Sequence, residues 1–223
     1  GADALATGHY ARLATTSNGA IQLKKAIDLQ KDQSYVLHTL KQEQLQKTIF
    51  PLGEHTKADV RAYAHSLDIP SASRSDSQDL CFLAGGNYRD FLLRYSPSAN
   101  NPGHIQYIDV HIIVKHRGLA FYTIGQRKGL GLSSPYSLYV VRKDLQTNTL
   151  VVGGEQDLGR QEMSVAEINW IDGCGPDSPF RADVKTRYTA PALRALVVPL
   201  AEGKATVKFD NQVRDITPGQ AAV

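Results

Sequence analysis

The chain of 223 residues is poor in the features that would assign it to several classes at once. It has two cysteines, Cys81 and Cys174, too few for a disulfide scaffold and without the paired spacing of a zinc site, so both thiols are expected to be reduced. No apolar run approaches the roughly 18 residues needed to span a bilayer as a helix. The amino-terminal residues also lack the basic, apolar and small-residue regions of a signal peptide. The expectation is a cytoplasmic protein with no membrane partner. Charge of one sign is not in excess either: 25 Lys and Arg face 22 Asp and Glu, a formal charge of +3. That balance permits nucleic-acid binding without implying it. What remains, 42% hydrophobic and 21% charged residues, is a globular composition long enough to bury at least one core, in two or three compact units.

The hydropathy pattern changes along the chain. In "GADALATGHYARL", Ala4, Leu5 and Ala6 read as the end of a buried strand opening into a Gly-containing loop, and "AIQLKKAIDL" as a second strand. From Lys31 to Tyr95 the period is helical. In "TKADVRAYAHSL", Thr56 caps, Asp59 sits near the positive end of the helix dipole, and Val60, Tyr63, Ala64 and Leu67 recur on one face. "DQSYVLHTLKQEQL" is a second expected helix with Tyr35, Val36 and Leu40 towards a core. "NYRDFLLRY" is a third, with Tyr88, Phe91, Leu92 and Tyr95 on one face. After Pro102 short β-branched and aromatic segments follow, separated by Gly, Asn, Asp and Pro: "HIQYIDVHIIV", "LAFYTIG", "SLYVVRKDLQTNTLVVGG", "SVAEINWI", "RADVKTRYTA", "ALRALVVPL" and "ATVKFD". These suggest one or two small antiparallel barrels. Boundaries are expected near residues 97–103 and 156–163.

Few side chains point to chemistry on their own. Cys81, in "SRSDSQDLCFL", has Leu80, Phe82 and Leu83 around it, as a buried thiol would. Its polar approach and the glycines Gly85 and Gly86 suit instead a loop that presents a thiol. Cys174, between two glycines, is given no role. "ATGHY" reads as a strand-to-loop turn or as backbone approaching a nucleotide at the carboxyl end of an α/β sheet. "KDQ" at 31–33 reads as a solvated first helical turn or as a holder of phosphate or base edge. "YTIGQRKGLGL" lacks the Gly-Lys-Ser/Thr ending of a P-loop and reads as a turn with two exposed cations. "KTRY" puts Lys185 and Arg187 on one side of a strand and Tyr188 on the other, compatible with phosphate contact and base stacking or with any barrel surface.

In order along the chain, "GADALATGHYAR", "KDQSYVL", "FPLGEHTKADVR", "DSQDLCF", "HRGLAFYTIGQRKGLGL", "INWI" and "ITPGQAAV" resemble the tRNA-specific 2-thiouridylases, which thiolate the wobble uridine of certain tRNAs. The resemblance runs nearly end to end. It implies an α+β chain: residues 1–100 the remainder of an α/β PP-loop adenylating domain with a helical segment bearing Cys81, 101–160 a central small β domain, and 161–223 a carboxy-terminal β-barrel. It implies a sulfurtransferase that uses ATP and Mg²⁺, a persulfide donor protein and the tRNA anticodon loop as partners, and no metal site of its own. By resemblance Cys81 carries the persulfide, Gly8 lies beside ATP, and His9, Lys31, Asp32, Gln33, Arg187, Tyr188 and Gln220 face the tRNA.

Two departures from the family pattern stand out. The family's Ser-Gly-Gly-x-Asp-Ser loop and first cysteine do not occur here, so the expectation is a carboxy-terminal portion that is inactive alone. "DVHIIVKHRG" also lacks the glycine turn usual before the His-Arg-Gly segment. A non-catalytic RNA-binding module and an ATP-independent sulfur carrier are the rival readings.

Overall fold

A computed structural model of the chain describes residues 1–74, 87–214 and 216–223; Cys81 lies outside the described residues. The chain divides into two compact units. The first comprises Gly1–Ser75, Glu162–Asp210 and Ala221–Val223, the second Asp76–Gln161 and Asn211–Gln220.

The first unit opens with β1 (Leu5–Ala6), β2 (Ala11–Thr15) and β3 (Ile21–Lys25), then a 3-10 turn (Ser34–Leu37), α1 (Gln42–Leu45), β4 (Thr48–Ile49) and α2 (Lys57–Ser66). β1 pairs in parallel with β4. Its residues are exposed rather than buried as expected, because among the described residues β4 is its one neighbour and neither face is covered. β2 and β3 form an antiparallel hairpin whose turn places Gly19 at φ 85°, the left-handed conformation that suits glycine after Asn18. Ala11, Leu37 and Phe50 form a small core, with Leu13, Leu23 and Leu40 against it.

The second expected helix is two separate turns. Tyr35 and Leu37 are buried while Val36 is exposed, a spacing of two that one helical face cannot give. Lys41, in extended conformation, breaks the chain before α1. α2 forms where its sequence placed it: the Thr56 hydroxyl accepts from the Asp59 N–H at 3.2 Å, and the Asp59 carboxylate accepts from the Thr56 N–H at 3.3 Å.

The second unit contains α3 (Tyr88–Tyr95), β5 (Gly103–Tyr107), β6 (Ile112–His116), a 3-10 turn (Leu119–Phe121), β7 (Tyr139–Asp144) and β8 (Thr149–Gly153). α3 is the third expected helix, capped by the Asn87 side chain. The strands form one sheet in the order β6-β5-β8-β7. β5 and β8 run parallel, where an all-antiparallel unit was expected, because each has its antiparallel partner, β6 or β7, on its other edge. "LAFYTIG" is not a strand. Leu119 and Phe121 sit in the 3-10 turn and pack with Tyr122 onto the core of Ile105, Leu138, Val140, Leu150 and Val152. Burying each such aliphatic side chain contributes about 1.5–3 kcal/mol. The β5–β6 hairpin closes without its glycine, and Val110 takes φ 78° in the turn.

The last strands are β9 (Arg160–Val165), β10 (Phe180–Val184), β11 (Leu193–Leu200) and β12 (Lys204–Val213), in the sheet order β10-β11-β12-β9. Ala205, Val207 and Phe209 alternate with more exposed neighbours along β12, the two-residue period of a half-buried strand. The mixed α+β class with several small sheets is the class read from the sequence. Among the described residues no helix is long and apolar enough to cross a membrane.

Candidate functional site

The expected tRNA-facing residues of the first unit come from three places in the chain, and side-chain hydrogen bonds bring them together. Gln33 binds Tyr10 twice: its N–H donates to the Tyr10 carbonyl at 2.8 Å, and its Oε1 accepts from the Tyr10 N–H at 3.0 Å. The turn at 31–33 is thereby fixed to the strand entry that carries Gly8 and His9. Asp32 holds the turn from inside. Its Oδ1 accepts from the N–H groups of Ala26 (2.9 Å) and Ser34 (3.3 Å), and its Oδ2 from the Ser34 hydroxyl (2.7 Å). A carboxylate serving three donors is a strong organiser of a loop.

His9 is oriented from both sides, by a 2.9 Å hydrogen bond between its Nδ1 and the Thr7 hydroxyl and by edge contact with the Phe50 ring at 6.2 Å. Gly8 is exposed, and a Cβ placed there would meet only Leu52 Cδ1, at 3.8 Å. That opening fits a close-lying ligand, but one glycine does not hold a triphosphate. Among the described residues no group of three His, Cys, Asp or Glu side chains could hold a metal ion.

The third contribution comes from beyond β10. The strand ends at Val184 and the chain turns, with the Ala190 N–H donating to the Arg187 carbonyl at 3.2 Å. Lys185 and Tyr188, expected on opposite sides of a strand, therefore share one side. The Lys185 ammonium lies 5.5 Å from the Tyr188 ring centre and 5.8 Å from that of Tyr35, and the two rings are 6.0 Å apart. The Tyr188 hydroxyl reaches the Asp32 carbonyl at 3.4 Å, which ties this turn to residues 31–33.

Tyr35 is buried and donates its hydroxyl hydrogen to the Ala221 carbonyl at 2.9 Å. Burial pushes its phenol up from the ordinary value, and the nearby Arg187 guanidinium pulls the other way. Lys185 and Val223 exchange backbone hydrogen bonds at 2.7 and 3.0 Å. The result is a patch of cations and tyrosine rings on a hydrogen-bonded base, a combination suited to phosphate and base stacking.

Three domain families match the chain in succession: a tRNA methyl transferase HUP domain over residues 1–85, a tRNA methyl transferase PRC-barrel domain over 89–154, and an aminomethyltransferase beta-barrel domain over 160–223. The chain is 44% identical over its full 223 residues to the tRNA-specific 2-thiouridylase MnmA of Chloroflexus aurantiacus. It is 41% identical, again over its whole length, to that of Gloeothece citriformis. Over its whole length the chain is similar to the tRNA-specific 2-thiouridylases. It spans 62% and 64% of the length of those two relatives.

Of the residues expected to face tRNA, His9, Lys31, Asp32, Gln33, Arg187 and Tyr188 all lie in the first unit, whereas Gln220 belongs to the second. Sequence reasoning missed the part played by Tyr35, which it assigned only to a core, and by Asn169 of "INWI". The Asn169 amide donates to the carbonyls of His38 (2.7 Å) and Leu40 (2.8 Å) and secures the end of the Tyr35 turn. The polar residue inside "INWI" was the available signal.

Proposed function

We propose that this chain carries the tRNA-contacting and sulfur-carrying parts of a 2-thiouridylase that acts on the wobble uridine of tRNA. One observation supports this most: the turn at 31–33 and the turn at 185–188, more than 150 residues apart in sequence, converge through the Tyr188–Asp32 contact into one cationic, aromatic patch. Lys31 and Arg187 would take backbone phosphates, and Tyr188 would offer a stacking face. His9, held by Thr7 and Phe50, would contact the RNA beside them. Asp32 and Gln33, with their hydrogen bonds directed inward, would act by holding that surface in shape. In this reading ATP activates the C2 oxygen of the uridine, so that AMP is the leaving group. Cys81 carries the incoming sulfur as a persulfide delivered by a donor protein. Gln220 would complete the tRNA contacts, and a division of the chain at about 100 and 160 would separate the adenylating part from the two β parts.

The test is ATP-dependent formation of 2-thiouridine by the complete enzyme containing this chain, supplied with tRNA, Mg²⁺ and a persulfide donor. Cys81→Ser should abolish the product while tRNA binding persists. Undiminished thiolation in that variant would remove Cys81 from the reaction. Thiolation absent from the unmodified enzyme, with tRNA binding retained, would favour a non-catalytic RNA-binding module.

A further inference from the structure

The Gly-rich segment of the second unit has no task in the reading above, yet it is a built feature. The Thr123 N–H donates to Gln126 Oε1 at 2.9 Å, and Gln126 Nε2 donates to the Lys128 carbonyl at 2.9 Å. The Gly125 N–H donates to the Val140 carbonyl at 2.8 Å, and the Val140 N–H returns to the Gln126 carbonyl at 2.9 Å. The segment is therefore anchored on β7. Gly129 and Gly131 take φ 75° and 69°. A Cβ at Gly131 would meet nothing within 4 Å, and one at Gly129 only Arg89 Nη2 and Gln126 Nε2, both at 3.8 Å. Backbone conformation, not crowding, calls for these glycines, and they leave the floor of the segment open to a ligand.

That floor belongs to a shallow hollow of about 290 Å³, lined by Arg127, Ser134, Tyr136 and Ser137 along with the glycines, three leucines and Pro135, and among the described residues no carboxylate lines it. Arg127 and Lys128 are exposed, Arg89 lies beside Gly129, and Tyr136 is 78% exposed. Buried small-molecule sites are mostly apolar and enclose their ligand. This one is open and polar, with cations and a bare aromatic ring, which is the pairing that tracks a phosphodiester backbone and stacks a base.

We propose that this hollow is a second RNA-contacting site, in which Arg127 and Lys128, with Arg89 alongside, bind backbone phosphates and Tyr136 stacks on an unpaired base. The proposal rests on the reading of the chain as a tRNA-binding one. It is tested by filter binding of an unmodified tRNA transcript to the 223-residue chain across a salt series, with Arg187→Ala as the reporter for the first unit. Arg127→Ala/Lys128→Ala should reduce the slope of log affinity against log salt by about 1.5. Tyr136→Ala should weaken binding roughly tenfold at every salt concentration. Thermal midpoints should not move, since all three side chains are exposed.

If Arg187→Ala weakens binding while the hollow variants keep wild-type affinity and slope, the second site is wrong and the tRNA reading stands. If the unmodified chain fails to bind tRNA even at low salt, the tRNA reading falls and takes this proposal with it. Saturable binding of uridine monophosphate, lost in Arg127→Ala/Lys128→Ala while tRNA affinity is unchanged, would assign the hollow to a free nucleotide and overturn the proposal.

Discussion

Val110 holds φ at 78° in the β5–β6 turn, a conformation that a β-branched residue adopts only under strain. Holding a non-glycine residue there costs about 1–3 kcal/mol, against about 0.5–1 kcal/mol of extra unfolded-chain entropy for a glycine. Val110→Gly should therefore raise the thermal midpoint; an unchanged or lower midpoint would show that the turn is not strained. His116 is the second residue out of balance. It is buried, its Nε2 hydrogen-bonds the Asn148 carbonyl at 3.0 Å, and its Nδ1 has no partner among the described residues. Burial holds its imidazole below the ordinary value, with the Asn148 contact opposing. The unfolded chain then binds the proton first on acidification. The neutral form's full contribution is present above about pH 6.5 and is lost as the pH falls through that value towards the lower folded one. His116→Gln should flatten the decline in thermal midpoint below about pH 6.5, and an unaltered decline would move the titration elsewhere.

At the scale of elements, what was legible in sequence was what local contacts decide. α2 could be read because its cap, dipole and apolar period lie within the same dozen residues, and the reciprocal Thr56–Asp59 hydrogen bonds form as that pattern implied. Thr56→Ala should lower stability by about 1 kcal/mol, measurable as a loss of helical circular dichroism at a lower midpoint. No change would mean that α2 does not depend on its cap. The stretch from Asp32 to Leu45 was misread because its conformation is set from a distance. Gln33 answers to Tyr10 and Tyr35 to Ala221, partners that no local window of the sequence contains. The parallel pairing of β5 with β8 was hidden for the same reason, since strand partners 45 residues apart leave no mark on local periodicity. Tyr188 could be named by resemblance, but its approach to Lys185 depends on a turn where the residue pattern continued a strand.

At the scale of the whole molecule, the proposed function has the first unit present one RNA-binding face made from residues far apart in the chain. The hydrogen bonds from Asp32 and Gln33 make that face a consequence of folding rather than of ligand binding. Asp32→Asn should thus weaken tRNA binding without changing its salt slope, because it alters the shape of the surface and removes no cation. The most direct test of the central claim is the salt dependence of tRNA binding by the chain and by its Lys31→Ala/Arg187→Ala variant. The account predicts tight binding at low salt and a slope reduced in the variant by about 1.5, the loss of two phosphate contacts. Wild-type affinity and slope in that variant would contradict it.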